Sequence, residues 1–406
     1  MNKRFTRSEF LFFAAYVLWL TFAAIKLTYF KEMFAFSDIN EKIGNVALVI
    51  LLLKFVVDDR YDWRGITGVL VTAVVYYISV HANAPGIWIP VCFVFGARNI
   101  NYRDILKATM IVQLGVMAAT VTCSLIGIIP NELWDEVTRQ RYSLGYTFCT
   151  YGSHISLFLT LIYLSLRRKI NLWEMAFWLC WNGVWYRVTQ TRTDLLLCVP
   201  FVLLCYLVGK LHLAFHSRKI AQSLYMIIGP LIASAAVAAQ WFFDERIPEM
   251  RKINIALNSR LKLGHDAITE YGLRAFGQYI RWVGRGSIKH HPDWIYNYVD
   301  SSYLKYLLHY GVVFFILLMI GIVLMGKWVA DSQNPGLQIA FVVWLLYGAI
   351  DAELFELGFQ PFMLFLGYAF ANSLTQIEFA KSYNIVYDIL DKHVCDNRAD
   401  KHRSGA

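Results

Sequence analysis

Residues 302–325 read SYLKYLLHYGVVFFILLMIGIVLM, and from Gly311 to Met325 no charged side chain interrupts the run. A helix needs about 20 apolar residues to cross roughly 30 Å of hydrocarbon, so this stretch reads as a membrane span. It is not alone. Working outward, similar runs lie near 10–30, 43–57, 65–80, 86–97, 104–129, 148–166, 172–189, 194–215, 224–243, 337–350 and 357–376. Two of them, 86–97 and 337–350, are short, so the expectation is eleven or twelve transmembrane helices. Composition supports this. Of 406 residues 57% are hydrophobic and only 17% charged, against roughly 25% charged in soluble domains. That is more apolar material than a soluble interior of this size can hide. The fold class expected is an all-α polytopic membrane protein.

Basic residues set the expected orientation. With the amino terminus inside, fourteen Lys and Arg fall in cytoplasmic segments and six in short outer loops. Clusters such as Arg167-Arg168-Lys169 and Arg218-Lys219 carry the bias, and both termini are then cytoplasmic. The net charge of +9 is therefore read as loop asymmetry and contact with membrane lipids rather than as a nucleic-acid surface. The amino-terminal run follows Met-Asn-Lys-Arg and leads directly into further spans, so an uncleaved anchor is expected.

The chain divides into a membrane domain over residues 1–243, a polar segment 244–300, a return to the membrane over residues 301–376 and a cytoplasmic tail 377–406. Segment 244–300 falls outside the membrane in this map, and a loop that long usually folds or serves a function. Pro248 to Tyr271 reads as one or two short helices, with Ile253, Leu257, Leu261 and Ile268 as the apolar stripe. No Walker loop, GxGxxG or HExxH occurs, which leaves ATP hydrolysis, dinucleotide chemistry and zinc proteolysis without support. The seven cysteines form no CxxC pair, and six lie in apolar runs as small packing residues.

Three outer arginines stand out. Arg141 opens RYSLGY (141–146), Arg192 lies in TQTRTD (189–194), and Arg260 sits in NSRLKL (258–263). A guanidinium offers a planar fork of donors that fits phosphate bidentately and keeps its charge. Each could equally be an interfacial arginine snorkelling to lipid head groups. Candidates for accepting a proton are His290, His291, Asp293 and Asp300 at the end of the polar segment, with Asp300 and then His291 preferred. Asp351, Glu353 and Glu356 form a second acidic group at the last outer turn. Glu174 and Asp194 are charges at membrane depth, where charge is costly, and Asp194 is placed to pair with Arg192. Aromatics of the polar segment, Trp282 and Trp294 among them, suit either an interfacial belt or a sugar groove.

These motifs, taken in order, resemble the Wzy-type polysaccharide polymerases, relatives of the O-antigen ligases. Arg141-Ser143-Leu144-Gly145-Tyr146 looks like that family's R-x-S-x-G-F stretch, although the Pro-Asn that often follows is missing. Thr191-Arg192-Thr193 is similar to its Ser-Arg-Thr, and Ser259-Arg260 to the Ser-Gly-Arg that opens its large outer loop. Phe276-Gly277-Gln278 stands where the family places Gly-x-Gly. Asp300-Ser301-Ser302-Tyr303-Leu304 and then Gly311 resemble the motif that closes the loop. The resemblance covers roughly residues 135–375.

It implies a membrane glycosyltransferase of the bacterial cytoplasmic membrane that joins undecaprenyl-pyrophosphate-linked oligosaccharide repeat units into capsule or exopolysaccharide. Arg141, Arg192 and Arg260 would bind substrate, and Asp300 or His291 would act as base. The family implies no metal and no cofactor, and a chain-length regulator and a flippase as partners. Two rivals remain open at this point: an O-antigen-ligase-like transferase and a lipid-linked-oligosaccharide flippase. The ligase pattern usually has His at the position of Asp300, whereas transporters favour short loops and inverted repeats.

Overall fold

The computed structural model describes residues 6–33, 36–57, 61–136, 139–167, 169–211 and 218–371; the tail 377–406 lies outside the described residues. The chain is mostly helical. Its helices are α1 (Arg7–Lys26), α2 (Phe36–Val57), α3 (Trp63–His81), α4 (Trp88–Gly96), α5 (Tyr102–Leu125), α6 (Tyr151–Leu166), α7 (Leu172–Thr189), α8 (Arg192–Leu211) and α9 (Arg218–Trp241). In the polar segment follow α10 (Pro248–Ala256), α11 (Arg260–Tyr271) and α12 (Arg285–His290), then α13 (Ser302–His309), α14 (Gly311–Asp331) and α15 (Pro335–Ile350). A hairpin of β1 (Leu133–Glu136) and β2 (Arg139–Tyr142) is the one sheet among the described residues.

Every expected span coincides with one of these elements or with a 3-10 run, but six helices among the described residues are long and apolar enough to cross a membrane: α1, α3, α5, α8, α9 and α14. Two of the other expected spans differ for a plain reason. Helix α4 has 9 residues, buried from Pro90 to Gly96, and packs on a buried 3-10 run at Phe362–Phe370. Both segments are apolar on every side and buried, so they pack against other helices of the protein and not against lipid. The run at 302–325 divides into α13 and α14. Gly311 at the break has φ +85°, and a β-carbon there would collide with the backbone of Gly277. Gly277 itself has φ +81°. Only glycine adopts such φ values without cost, so these two residues allow the polar segment to lie against the break. Gln278 N–H donates to the His309 carbonyl at 3.0 Å, while Val312 and Val313 donate to Arg274 and Ala275, each at 3.0 Å.

Helix starts sit at polar residues that precede the apolar runs. Thr6 and Glu9 form a reciprocal cap on α1, as do Asn171 and Glu174 on α7, and Asn334 caps α15. Contacts sort the helix ends into two sets. At one end Arg218 of α9 pairs with Asp331 of α14 at 2.7 Å, and Asn334 donates to the Ser165 carbonyl of α6 at 2.8 Å. At the other, Tyr29 N–H donates to the Gly145 carbonyl at 2.9 Å, and His81 of α3 meets Phe276 of the polar segment. The polar segment and the hairpin share this second end. Lys289 of α12 pairs with Glu132 and lies over Trp134 of β1 at 4.1 Å. In the polar segment the helix reading divides at Asn258 and Ser259, both left-handed, and Ile253 and Leu257 are exposed while Gly264 and Ala267 of α11 turn inward.

Helices α9 and α14 cross closely because both present glycine. A β-carbon on Gly326 would meet the Tyr225 carbonyl, and one on Gly229 would meet Ile322. Gly326→Val is therefore expected to destabilise the detergent-solubilised protein by about 1–3 kcal/mol, the cost of an overpacked contact. Gly115→Val, where a β-carbon meets nothing within 4 Å, is expected to leave the unfolding midpoint unchanged.

Candidate functional site

The end of the polar segment is stitched to the end of α15. Ser302 N–H and Oγ–H both donate to the Asp351 carbonyl, at 3.1 and 2.6 Å, and Ser302 Oγ accepts from Leu354 N–H at 3.0 Å. This seam fixes Asp300 beside the turn at 351–354. The left-handed pair Asn258-Ser259 then starts α11 so that Arg260 reaches the same place. Arg260 Nη1 donates to the Ile350 carbonyl at 2.6 Å, and its Nε lies 2.8 Å from Asp300 Oδ2. Both partners are partly exposed, at 24% and 25% of their side-chain surface. An approaching ligand therefore has access to both.

Deeper in, a second group meets them. His154 of α6 and Asp194 of α8 are buried, and His154 Nδ1 lies 3.0 Å from each Asp194 carboxylate oxygen. His154 Nε2 points to Asp351, 3.6 Å from Oδ2. Burial pushes the Asp351 carboxyl up to about 6; His154 and Arg260 oppose the rise, while Asp300 and Asp194 add to it. Glu353, two residues on, is held well above the ordinary range by burial and by Asp351. Its Oε2 is sealed from solvent without a hydrogen-bond partner. One face of the group still reaches solvent, since 21% of the Asp351 side chain is accessible. Lys305 of α13 donates to the Tyr298 hydroxyl at 3.0 Å. His154, Asp351 and Glu353 bring one ligand atom each within 4.8 Å of the other two, a set able to hold a metal ion.

The sequence candidates separate on this geometry. Arg260 and Asp300 come together. Arg141 is buried on β2 and donates from Nε to the Thr189 carbonyl at 2.7 Å and from Nη2 to Thr191 Oγ1 at 3.4 Å. It thereby caps the last turn of α7, which ends at left-handed Gln190, and offers positive charge to the negative end of the helix. Arg192 is exposed on the first turn of α8, and among the described residues no ion pair joins it to Asp300 or Asp351. Asp194 pairs with His154 and not with Arg192, which corrects the expected pairing. Glu174 pairs with Arg167 at the N-terminal cap of α7. His291 is exposed and stacks on Trp294 at 4.0 Å, away from any contact with Asp300, and the side chain of His290 lies outside the described residues. His154 is the functional candidate that sequence reasoning passed over. Its signal was present, since a carboxylate within an apolar run, here Asp194, calls for a partner from another run.

Comparison of the chain with protein families, with curated proteins and with solved structures found no match.

Arg141 and Arg192 are expected to part company on stability. Arg141→Ala removes a charged hydrogen bond and leaves a buried carbonyl unpaired, a loss of about 1.5–3 kcal/mol. Arg192→Ala, at an exposed site, is expected within about 0.5 kcal/mol of wild type. Chemical unfolding in detergent micelles measures both.

Proposed function

We propose that the protein is a polysaccharide polymerase of the bacterial cytoplasmic membrane, joining undecaprenyl-pyrophosphate-linked oligosaccharide repeat units on the outer face. The reading rests on one observation above the others: the polar segment delivers Arg260 onto Asp300 beside Asp351, at one end of a set of apolar helices. In this reading the eleven or twelve apolar elements form the membrane domain, both termini are cytoplasmic, and segment 244–300 faces outward. A lipid-linked donor sits with its pyrophosphate at the membrane boundary, where Arg260 is placed.

The pair supplies a sequence of events. The pyrophosphate competes with Asp300 for the Arg260 guanidinium, which binds phosphate through the same fork. Asp300 is then free to accept the proton of the acceptor hydroxyl. That oxygen bonds to the anomeric carbon of the donor glycan as the carbon–oxygen bond to pyrophosphate breaks. The leaving pyrophosphate carries the electron pair away, its charge stabilised by Arg260. Exposed Arg192 suits a second contact to the lipid phosphate or to head groups, while Arg141 acts through the end of α7.

The test uses purified protein and synthetic lipid-linked repeat units, with polymer length read on a gel. Asp300→Asn is expected to lose turnover by about 10²–10⁴-fold, the usual worth of a general base. Arg260→Lys is expected to fail nearly as badly as Arg260→Ala, because a point charge does not reproduce the fork. Near-normal turnover of Asp300→Asn with an inactive, folded His291→Ala moves the base to the histidine. Transfer of glycan to an acceptor other than a repeat unit replaces the polymerase by a ligase.

Topology has its own check. A cysteine placed at Ser287 is expected to react with an impermeant thiol reagent in intact cells. Labelling only after lysis overturns the outward placement of segment 244–300.

A further inference from the structure

His154 Nε2 and the carboxylates of Asp351 and Glu353 converge from α6 and from the turn after α15, and we infer that they form a binding site for one first-row divalent metal ion. Four features of the pocket support it. The ligand atoms lie within 4.8 Å of one another. The gap of 3.6 Å between His154 Nε2 and Asp351 Oδ2 is too long for a hydrogen bond. It suits two ligands on a shared ion, which stand about 3–3.7 Å apart when each is about 2.0–2.2 Å from the metal. Glu353 Oε2 is sealed from solvent and has no hydrogen-bond partner, so a carboxylate of the set keeps a buried acceptor without a donor. Finally, both Asp194 oxygens sit 3.0 Å from His154 Nδ1. That leaves Nε2 as the free ligand, the arrangement in which a carboxylate behind a histidine fixes its tautomer for a metal.

Charge agrees with the geometry. Three carboxylates (Asp194, Asp351 and Glu353) surround one imidazole. The basic side chains in their field are engaged elsewhere: Arg260 holds Asp300, and Lys305 holds the Tyr298 hydroxyl. One nitrogen and two carboxylates suit Mn²⁺ or Zn²⁺ better than Ca²⁺ or Mg²⁺, which prefer oxygen ligands alone. The inference departs from the family resemblance, which implies no metal. The role of the ion, and only its role, rests on the proposed function: beside Arg260, it would add positive charge where a pyrophosphate leaves.

The experiment reads binding alone, so it stands or falls apart from the polymerase reading. Full-length protein in detergent is stripped with chelator and titrated with MnCl₂, and free Mn²⁺ is followed by its EPR signal. One equivalent is expected to bind, with nitrogen modulation from His154 in the pulsed spectrum. Glu353→Gln and Asp351→Asn are each expected to weaken binding at least about tenfold, and Asp194→Asn by about 10–100-fold, the usual effect of removing the group behind a ligating histidine. Exposed Glu356→Gln is expected to bind as wild type does. Zn²⁺ is expected to displace the Mn²⁺. No saturable binding by the wild type overturns the inference. So does binding that survives in folded Glu353→Gln and Asp351→Asn, or a bound ion whose nitrogen modulation persists in His154→Ala.

Discussion

A carboxylate buried among apolar helices has to be answered from a neighbouring helix, and Asp194 of α8 is answered by His154 of α6. Removing one partner of such a pair leaves an uncompensated charge, a cost of about 3–5 kcal/mol in buried pairs. The pair therefore fixes how α6 and α8 stand against each other, and with them the depth at which Asp351 meets His154. The rest of the site is hung on that depth. Ser302 ties α13 to the Asp351 carbonyl, and Arg260 ties α11 to Ile350 and Asp300. Five helices, α6, α8, α11, α13 and α15, thus end at one polar group.

The order of apolar elements was legible in the sequence because hydrophobic runs and polar caps are local signals. Gly311-to-Met325 reads as a helix at sight, and α14 contains it. What the runs do not carry is which of them lie entirely inside the protein. Trp88–Gly96 and Phe362–Phe370 are as apolar as any span, yet each is covered by the other and by surrounding helices. Length was the clue for the first; the run at 357–376 was long enough to hide the burial of Phe362–Phe370 within it. The break at Gly311 was equally hidden, since glycine within a run is common and its φ is set here by the polar segment docking from outside.

At the site, Arg260 and Asp300 were legible as individual residues because each lies where polar sequence meets apolar sequence. Their pairing was not, for 40 residues separate them and only the turn at Asn258-Ser259 and the seam at Ser302 bring them together. Arg141 and Arg192 carried the same outward signal as Arg260, but burial and the Thr189 carbonyl give Arg141 a structural duty, and Arg192 stays in the open. His154 went unread because a single histidine in an apolar helix has no local pattern. Its meaning comes wholly from Asp194 and Asp351, which are 40 and 197 positions away.

The backbone bonds between 274–278 and 309–313 bear on motion. The amides of Val312 and Val313 in the first turn of α14 and the last carbonyl of α13 are committed to the polar segment. That segment is consequently no free flap. To swing away it would have to tear the opening turn of α14 or take that helix with it, and α14 is locked by glycine contact to α9. A ligand that reaches the Arg260–Asp300 pair therefore meets residues 274–278 already anchored to the start of α14.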